Sequence, residues 1–121
     1  MKKVNRELQK KLNVVALILS DFKKFTYAYL YYCQGIELSH VAKFFNESTS
    51  KLKRTLSKFE TSYDLNYMCN EVDVSKITRV LESFKEVNGR YKCLLCKRYV
   101  TRRGRVQHLI TVHRNELKEL I

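Results

Sequence analysis

The chain has no proline, no tryptophan and only three glycines among 121 residues. Without proline or Gly/Ser-rich runs, no stiff or flexible linker can be read, and low-complexity disorder is excluded as a major component. The three glycines, at 35, 89 and 104, are too scattered for a phosphate-cradling loop. No apolar stretch is long enough to span a membrane. "MKKVNRELQKKLNVVALILSDF" is basic and then apolar, like a secretion signal. Its apolar run from Val14 to Leu19 is too short, however, and no small-residue cleavage site follows. The expected location is therefore intracellular, with no membrane partner. In a reducing compartment, four cysteines point to metal ligands or buried thiols before disulfides.

Acid is also scarce. Lys and Arg number 24 against 12 Asp and Glu, a formal charge of +12. Such a surplus favours a polyanionic partner. It is concentrated at the end of the chain: residues 90–121 hold nine Lys/Arg and two Asp/Glu. No Ser/His/Asp spacing and no carboxylate cluster for Mg²⁺ is visible, so neither an enzyme nor a small-molecule substrate is expected.

The hydrophobic pattern predicts helices up to residue 87. Leu8, Leu12, Val15, Leu19 and Phe22 recur in steps of four and three along a helix from Val4 to about Phe22. This stripe can face the core, or it can pair two chains into a homodimer. A second helix runs from Ser20 or Asp21 to about Cys33 and ends at Gly35. Its Tyr27, Tyr29, Tyr31 and Tyr32 are mostly packing residues. Ser39 can cap a short helix to Phe45, and Ser48 a second one over 48–59. Val41, Phe45, Leu52, Leu56 and Phe59 then face inward, and Asn46 occupies the turn at positive φ. Lys51, Arg54 and Lys58 share an outward face.

This stretch, with Ala42, Asn46, Ser48 and Leu52, resembles the helix-turn-helix of winged-helix and related DNA-binding regulators. It departs from them at Glu47, where that family prefers an apolar residue. The resemblance implies that Thr49, Ser50, Lys51 and Arg54 meet base edges, with Lys53 and Lys58 nearer phosphates.

"CQGIELSHVAKFF" aligns with "CNEVDVSKITRVL" at an offset of 36, so that Cys33 matches Cys69. A rival alignment at an offset of 25 matches "SKLKRTLSKF" to "SKITRVLESF". Both predict a capped amphipathic helix from Ser75 to about Val87, with Ile77, Leu81 and Phe84 inward. Asn88-Gly89 then marks a turn between a helical body, 1–88, and a C-terminal module, 89–121.

In that module Cys93, Cys96, His108 and His113 form a Cys-x2-Cys-x11-His-x4-His pattern. Two thiolates on a turn and two imidazoles on one helix face are the donor set of a closed tetrahedral zinc site. So small a module cannot bury enough core unaided, and the metal would supply its folding energy. The pattern resembles the C2H2 zinc finger, with Tyr91 and Val100 at that family's aromatic positions and Arg105 where it carries a core Leu. Val106 is the nearest apolar stand-in.

The resemblance implies a ββα module holding one structural Zn²⁺ per chain. Counted back from His108, it implies base contacts from Gln107, Gly104 and Thr101, with Arg102, Arg103 and Arg105 at least on phosphates. His40, Cys33 and Cys69 make no second site and read as a surface His and two buried thiols; a Cys33–Cys69 disulfide would fit a hyperthermophilic source.

The expected architecture is mainly α, with a helix-turn-helix-like body followed by one zinc finger. The expected activity is sequence-specific binding of double-stranded DNA in transcription regulation. The pairing of a finger with basic helices resembles small regulators encoded by viruses and plasmids of thermophilic archaea. The alternatives are an RNA-binding module, or a protein–protein adaptor using the finger or the first helix.

Overall fold

The computed structural model describes residues 6–121. It is mainly helical, with one small antiparallel sheet. Val4, where the first helix was expected to start, lies outside the described residues. Helix α1 (Arg6–Ser20) runs through the centre of the molecule. Leu12, Val14, Val15, Leu17 and Ile18 are all buried and point to most sides of the helix. A helix that is apolar on most sides is a core helix. Leu12 and Val15 of the heptad seam are buried, and Leu8 and Leu19 pack partly buried against the same core. Leu12 and Val15 of the stripe thus pack within the chain itself. Phe22 lies on the next helix and is 51% exposed. No described helix is long and apolar enough to cross a membrane.

Asp21 caps α2 (Phe22–Ala28), its carboxylate accepting the Lys24 N–H. The expected helix to Cys33 changes pitch at its end: a π-helical turn covers Tyr29–Cys33. Gly35 then takes φ +67°, and the Ile36 N–H reaches back to the Leu30 carbonyl. Only glycine adopts that left-handed φ without strain.

Helix α3 (Leu38–Phe44), the turn at Asn46 (φ 54°) and α4 (Thr49–Leu56) form a helix-turn-helix unit packed on α2. Ser48 caps α4 by accepting the Lys51 N–H. Ser39 does not cap α3, because it lies inside the helix, which begins at Leu38 after Glu37 with no side-chain cap. The second helix also stops at Leu56, short of the expected Phe59. Ser57 is extended and Lys58 is left-handed, so Phe59 opens a separate turn, α5 (Phe59–Ser62). That change of direction carries the Phe59 ring between Tyr32 and Tyr63, stacked on both. Leu52, Leu56 and Phe59 are all buried, as the helical spacing required; periodicity alone did not register the break.

Glu47 is the residue at which the helix-turn-helix resemblance fails, and the structure explains its charge. Its carboxylate accepts from Lys51 Nζ at 2.8 Å, Lys23 Nζ at 3.3 Å and the Tyr27 hydroxyl at 3.3 Å. It thereby ties the start of α4 to α2. The two lysine hydrogen bonds hold its carboxyl below the ordinary carboxylate range. A depressed carboxyl pKa contributes stability above the unfolded-state value and loses it as pH falls through the folded-state value. The melting temperature of Glu47→Gln should therefore be lower than wild type near neutrality, and the two should converge between about pH 5 and 3. Parallel melts across that range test it.

After a π-helical turn at Tyr67–Glu71, Asp73 caps α6 (Val74–Thr78) through the Lys76 N–H. The expected helix from Ser75 to about Val87 is corrected here. Asp73 and not Ser75 is the cap, and α6 gives way to a 3-10 turn (Arg79–Ser83) and then to strand β1 (Phe84–Val87). Pairing with the following strand outcompetes the helical pattern. Of the two internal alignments, the offset of 36 is the one mirrored in space. Helices α3 and α6 start 36 residues apart, Val41 and Ile77 are both buried, and Cys33 and Cys69 form a disulfide. The reading of those cysteines as two separate buried thiols is thereby overturned; both are only half-buried.

Asn88 (φ 51°) and Gly89 (φ 80°) make a two-residue hairpin turn, in which both positions need positive φ. The turn joins β1 to β2 (Arg90–Cys93), and β2 pairs with β3 (Tyr99–Val100). The expected division between 88 and 89 thus falls inside a hairpin, and β1 belongs to the sheet of the metal module. Helices α7 (Gly104–Val112) and α8 (Arg114–Lys118) complete the chain and pack on α1. Leu109 and Leu117 are buried in the same core as Leu12, and Arg114 Nη2 donates to Gln9 Oε1 at 2.7 Å.

Candidate metal centre

Cys93 is the last residue of β2 and is fully buried. Its N–H donates to the Arg98 carbonyl, and its own carbonyl accepts the Lys97 N–H. Lys97 takes φ 67°, which closes the Cys-x2-Cys turn tightly enough to return the chain into β3. The knuckle is also anchored to the body, since the Leu94 N–H donates to the Ser83 carbonyl at 2.7 Å.

The other two ligands come from α7. His108 lies in the helix, and His113 is the residue after its end, with φ −111° and ψ 35°. Five positions along an unbroken helix would turn the second imidazole well away from the first. Leaving helical geometry at His113 brings the rings back to 5.0 Å between centroids.

The four side chains converge. Cys93 Sγ lies 3.3 Å from His113 Nε2, and Cys96 Sγ lies 3.3 Å from His108 Nε2. All four ligand atoms fall within 4.8 Å of one another. A tetrahedral ion with bonds of about 2.0–2.3 Å spaces its ligand atoms roughly 3.3–3.8 Å apart. The set therefore needs only a small contraction to hold a metal ion. The electrostatics favour the ligand forms. The backbone N–H of Arg98 is the largest influence drawing the Cys96 thiol down, and burial is the largest one lowering the His108 imidazolium. Both shifts favour the deprotonated donor, as metal binding demands.

Several supporting residues were not visible in the sequence. Phe84, read there as a helical core residue, sits on β1 opposite Cys93 and meets the His108 ring edge-on at 6.1 Å. Glu116 Oε1 lies 3.5 Å from His113 Nδ1 and so favours the tautomer that leaves Nε2 free as a ligand atom. Arg105 stands where a finger would carry a core Leu. Its guanidinium lies 4.4 Å over the Tyr91 ring, and Leu109 is the fully buried apolar side chain of α7. The one available signal was the Asn-Gly turn, which flags a hairpin and hence a strand on each side.

The other candidate residues fall into two groups. Thr49, Ser50, Lys51, Lys53, Arg54 and Lys58 are all exposed, the first five on α4 and Lys58 just beyond it. Lys51 is paired with Glu47. Thr101, Arg102, Arg103 and Gln107 are exposed around the start of α7, whereas Arg105 is half-buried on Tyr91. Thr101 Oγ1 accepts the Gly104 N–H at 3.0 Å in the turn that leads into α7. The two groups are connected through the body: α7 packs on α1, α1 on α2, and α2 on α4. His40 is exposed on α3, apart from the metal ligands.

Comparison with known proteins leaves this geometry standing alone: no family model, no curated protein and no solved structure matches the chain.

Proposed function

We propose that the protein is a zinc-stabilised regulator that binds double-stranded DNA. The observation that carries this reading is the α3–α4 unit, which presents an acid-free row of exposed polar and basic side chains from a helix whose other face is fixed in the core by Leu52 and Leu56. A rigid helix projecting Arg and Lys is the kind of element that enters a major groove. The chain's charge of +12 supplies the phosphate attraction.

Zinc is the ion we assign to Cys93, Cys96, His108 and His113, because two thiolates and two imidazoles suit it and leave no open position. When bound, zinc supplies a structural crosslink. An enzymatic role is not part of the proposal.

The two basic groups divide the work. Lys51 is engaged with Glu47, and we assign Arg54 as the guanidinium on α4 that reads a base edge. At the finger, the Thr101 hydroxyl accepts the Gly104 N–H and Gly104 has no side chain. Of the three reading positions, Gly104 thus offers no side chain and Thr101 only a partly engaged hydroxyl, and we assign the neighbouring Arg102 and Arg103 to phosphates. The disulfide is compatible with either an oxidising compartment or a hyperthermophilic interior, and we take the second as the reading that keeps the protein intracellular.

Arg54→Ala should cost about 1–3 kcal/mol at a preferred duplex and much less at a scrambled one. Arg103→Ala should weaken both alike and lower the salt slope by about one. Titrations of each duplex over a range of salt decide the matter. The roles are reversed if Arg103→Ala abolishes discrimination while Arg54→Ala preserves it.

A further inference from the structure

The outer face of the β1–β2–β3 sheet plays no part in the reading above. The strand register places Lys85 opposite Lys92, and Lys92 opposite Tyr99. Directly opposed residues share a face, so these three side chains form one row across the sheet. The next row on that face is Val87 opposite Arg90. The metal side of the sheet carries the alternate residues, Phe84, Glu86, Tyr91, Cys93 and Val100.

This segregation has a cost. Two lysines directly opposed on neighbouring strands repel each other. The nearest acid along β1, Glu86, points to the opposite face and meets the Tyr91 hydroxyl instead. Among the described residues, no carboxylate lies within ion-pair distance of Lys85, Arg90 or Lys92. Beside these cations stands Tyr99, 52% exposed, with Lys92 Nζ 6.0 Å from its ring centre. An open hollow of about 340 Å³ adjoins it, lined by Val87, Asn88, Arg90 and Tyr99.

We infer that this face binds single-stranded nucleic acid, with an unpaired base stacked on Tyr99 and phosphates on Lys85, Arg90 and Lys92. An accessible aromatic ring flanked by cations is the composition of such platforms, because every base offers a π-face and every linkage a negative charge. In a duplex the bases stack on one another and cannot cover the ring. The hollow beside Tyr99 gives a splayed base a place to lie. This surface is distinct from the α4 face, and the inference does not depend on duplex binding there.

The test uses the full-length, zinc-loaded protein, a labelled thymidine oligonucleotide of about 12 residues and a duplex of equal length. Tyr99→Ala should weaken strand binding about tenfold while changing duplex affinity less than about twofold. Tyr99→Phe should retain strand binding, because the ring and not the hydroxyl makes the contact. Lys92→Gln should lower the salt slope of strand binding by about one. Zinc content, measured for every variant, confirms that the sheet is intact. The inference is overturned if wild-type protein does not bind the strand, if Tyr99→Ala leaves strand affinity unchanged, or if it weakens strand and duplex equally.

Discussion

Removing the metal will destabilise the whole chain, beyond the C-terminal module alone. In Cys96→Ala, or with a strong chelator, β2, β3 and α7 should lose their order. The apparent free energy of metal binding to small modules of this kind is about 10–16 kcal/mol, comparable with the entire net stability of a typical domain. The loss should then spread. Leu109 and Leu117 share one core with Leu12, so the departure of α7 and α8 would expose buried apolar surface of α1 to water. The Arg114–Gln9 hydrogen bond is lost with them. Sequence alone had separated the two parts at Asn88-Gly89 and expected the body to survive. Hydrogen exchange of the α1 amides with and without chelator measures the effect. Unchanged α1 protection while the module unfolds would show that the docking of α7 and α8 contributes little.

Breaking the Cys33–Cys69 disulfide should produce the second largest loss. The bond closes a loop spanning 36 positions and links the π-helical turn before α3 to the one before α6. Cross-linking a loop of that length removes unfolded-chain entropy equivalent to about 4 kcal/mol. For a chain of this size, that corresponds to a fall in melting temperature of more than about 10 °C. The Cys33→Ser/Cys69→Ser double variant, kept zinc-loaded, isolates this effect from the metal thiolates. Urea denaturation of the two proteins side by side reads the difference. Equal midpoints with equal slopes would mean that the constraint adds nothing to stability.

The metal ligands were legible because their chemistry is local in type and rigid in spacing. Cys93 and Cys96 flank one turn, His108 lies within one helix and His113 at its end, and few other roles use that combination. The α3–α4 unit was legible for a similar reason. Ser48 and Asn46 are local signals, and Val41, Leu52 and Leu56 follow the helical period. Its failures were at the edges. Phe59 continued the period of α4 while the backbone had already turned at Lys58, and Ser39 was a plausible cap two residues too late.

The stretch 75–87 was misread more deeply. Its apolar spacing suits a helix, but its last four residues pair with β2, and strand pairing depends on a partner that no local window contains. The same holds for Phe84 against His108, for Glu116 against His113 and for Arg105 over Tyr91. Each is a contact between residues whose spacing carries no pattern.

By itself, then, the sequence determined the helical character, the cationic surplus, the four converging ligands and the turn at Asn88-Gly89, because composition, period and short motifs act within a few residues. It took the packed chain to show that Leu12 and Val15 of the α1 seam are buried against the chain's own helices. The tertiary structure alone joined Cys33 to Cys69 and drew β1 into the metal module. Burial and pairing are settled by which distant segments compete for the same surface. A stripe such as Leu8, Leu12, Val15 and Leu19 reads the same whether its partner is a second chain or the rest of the first.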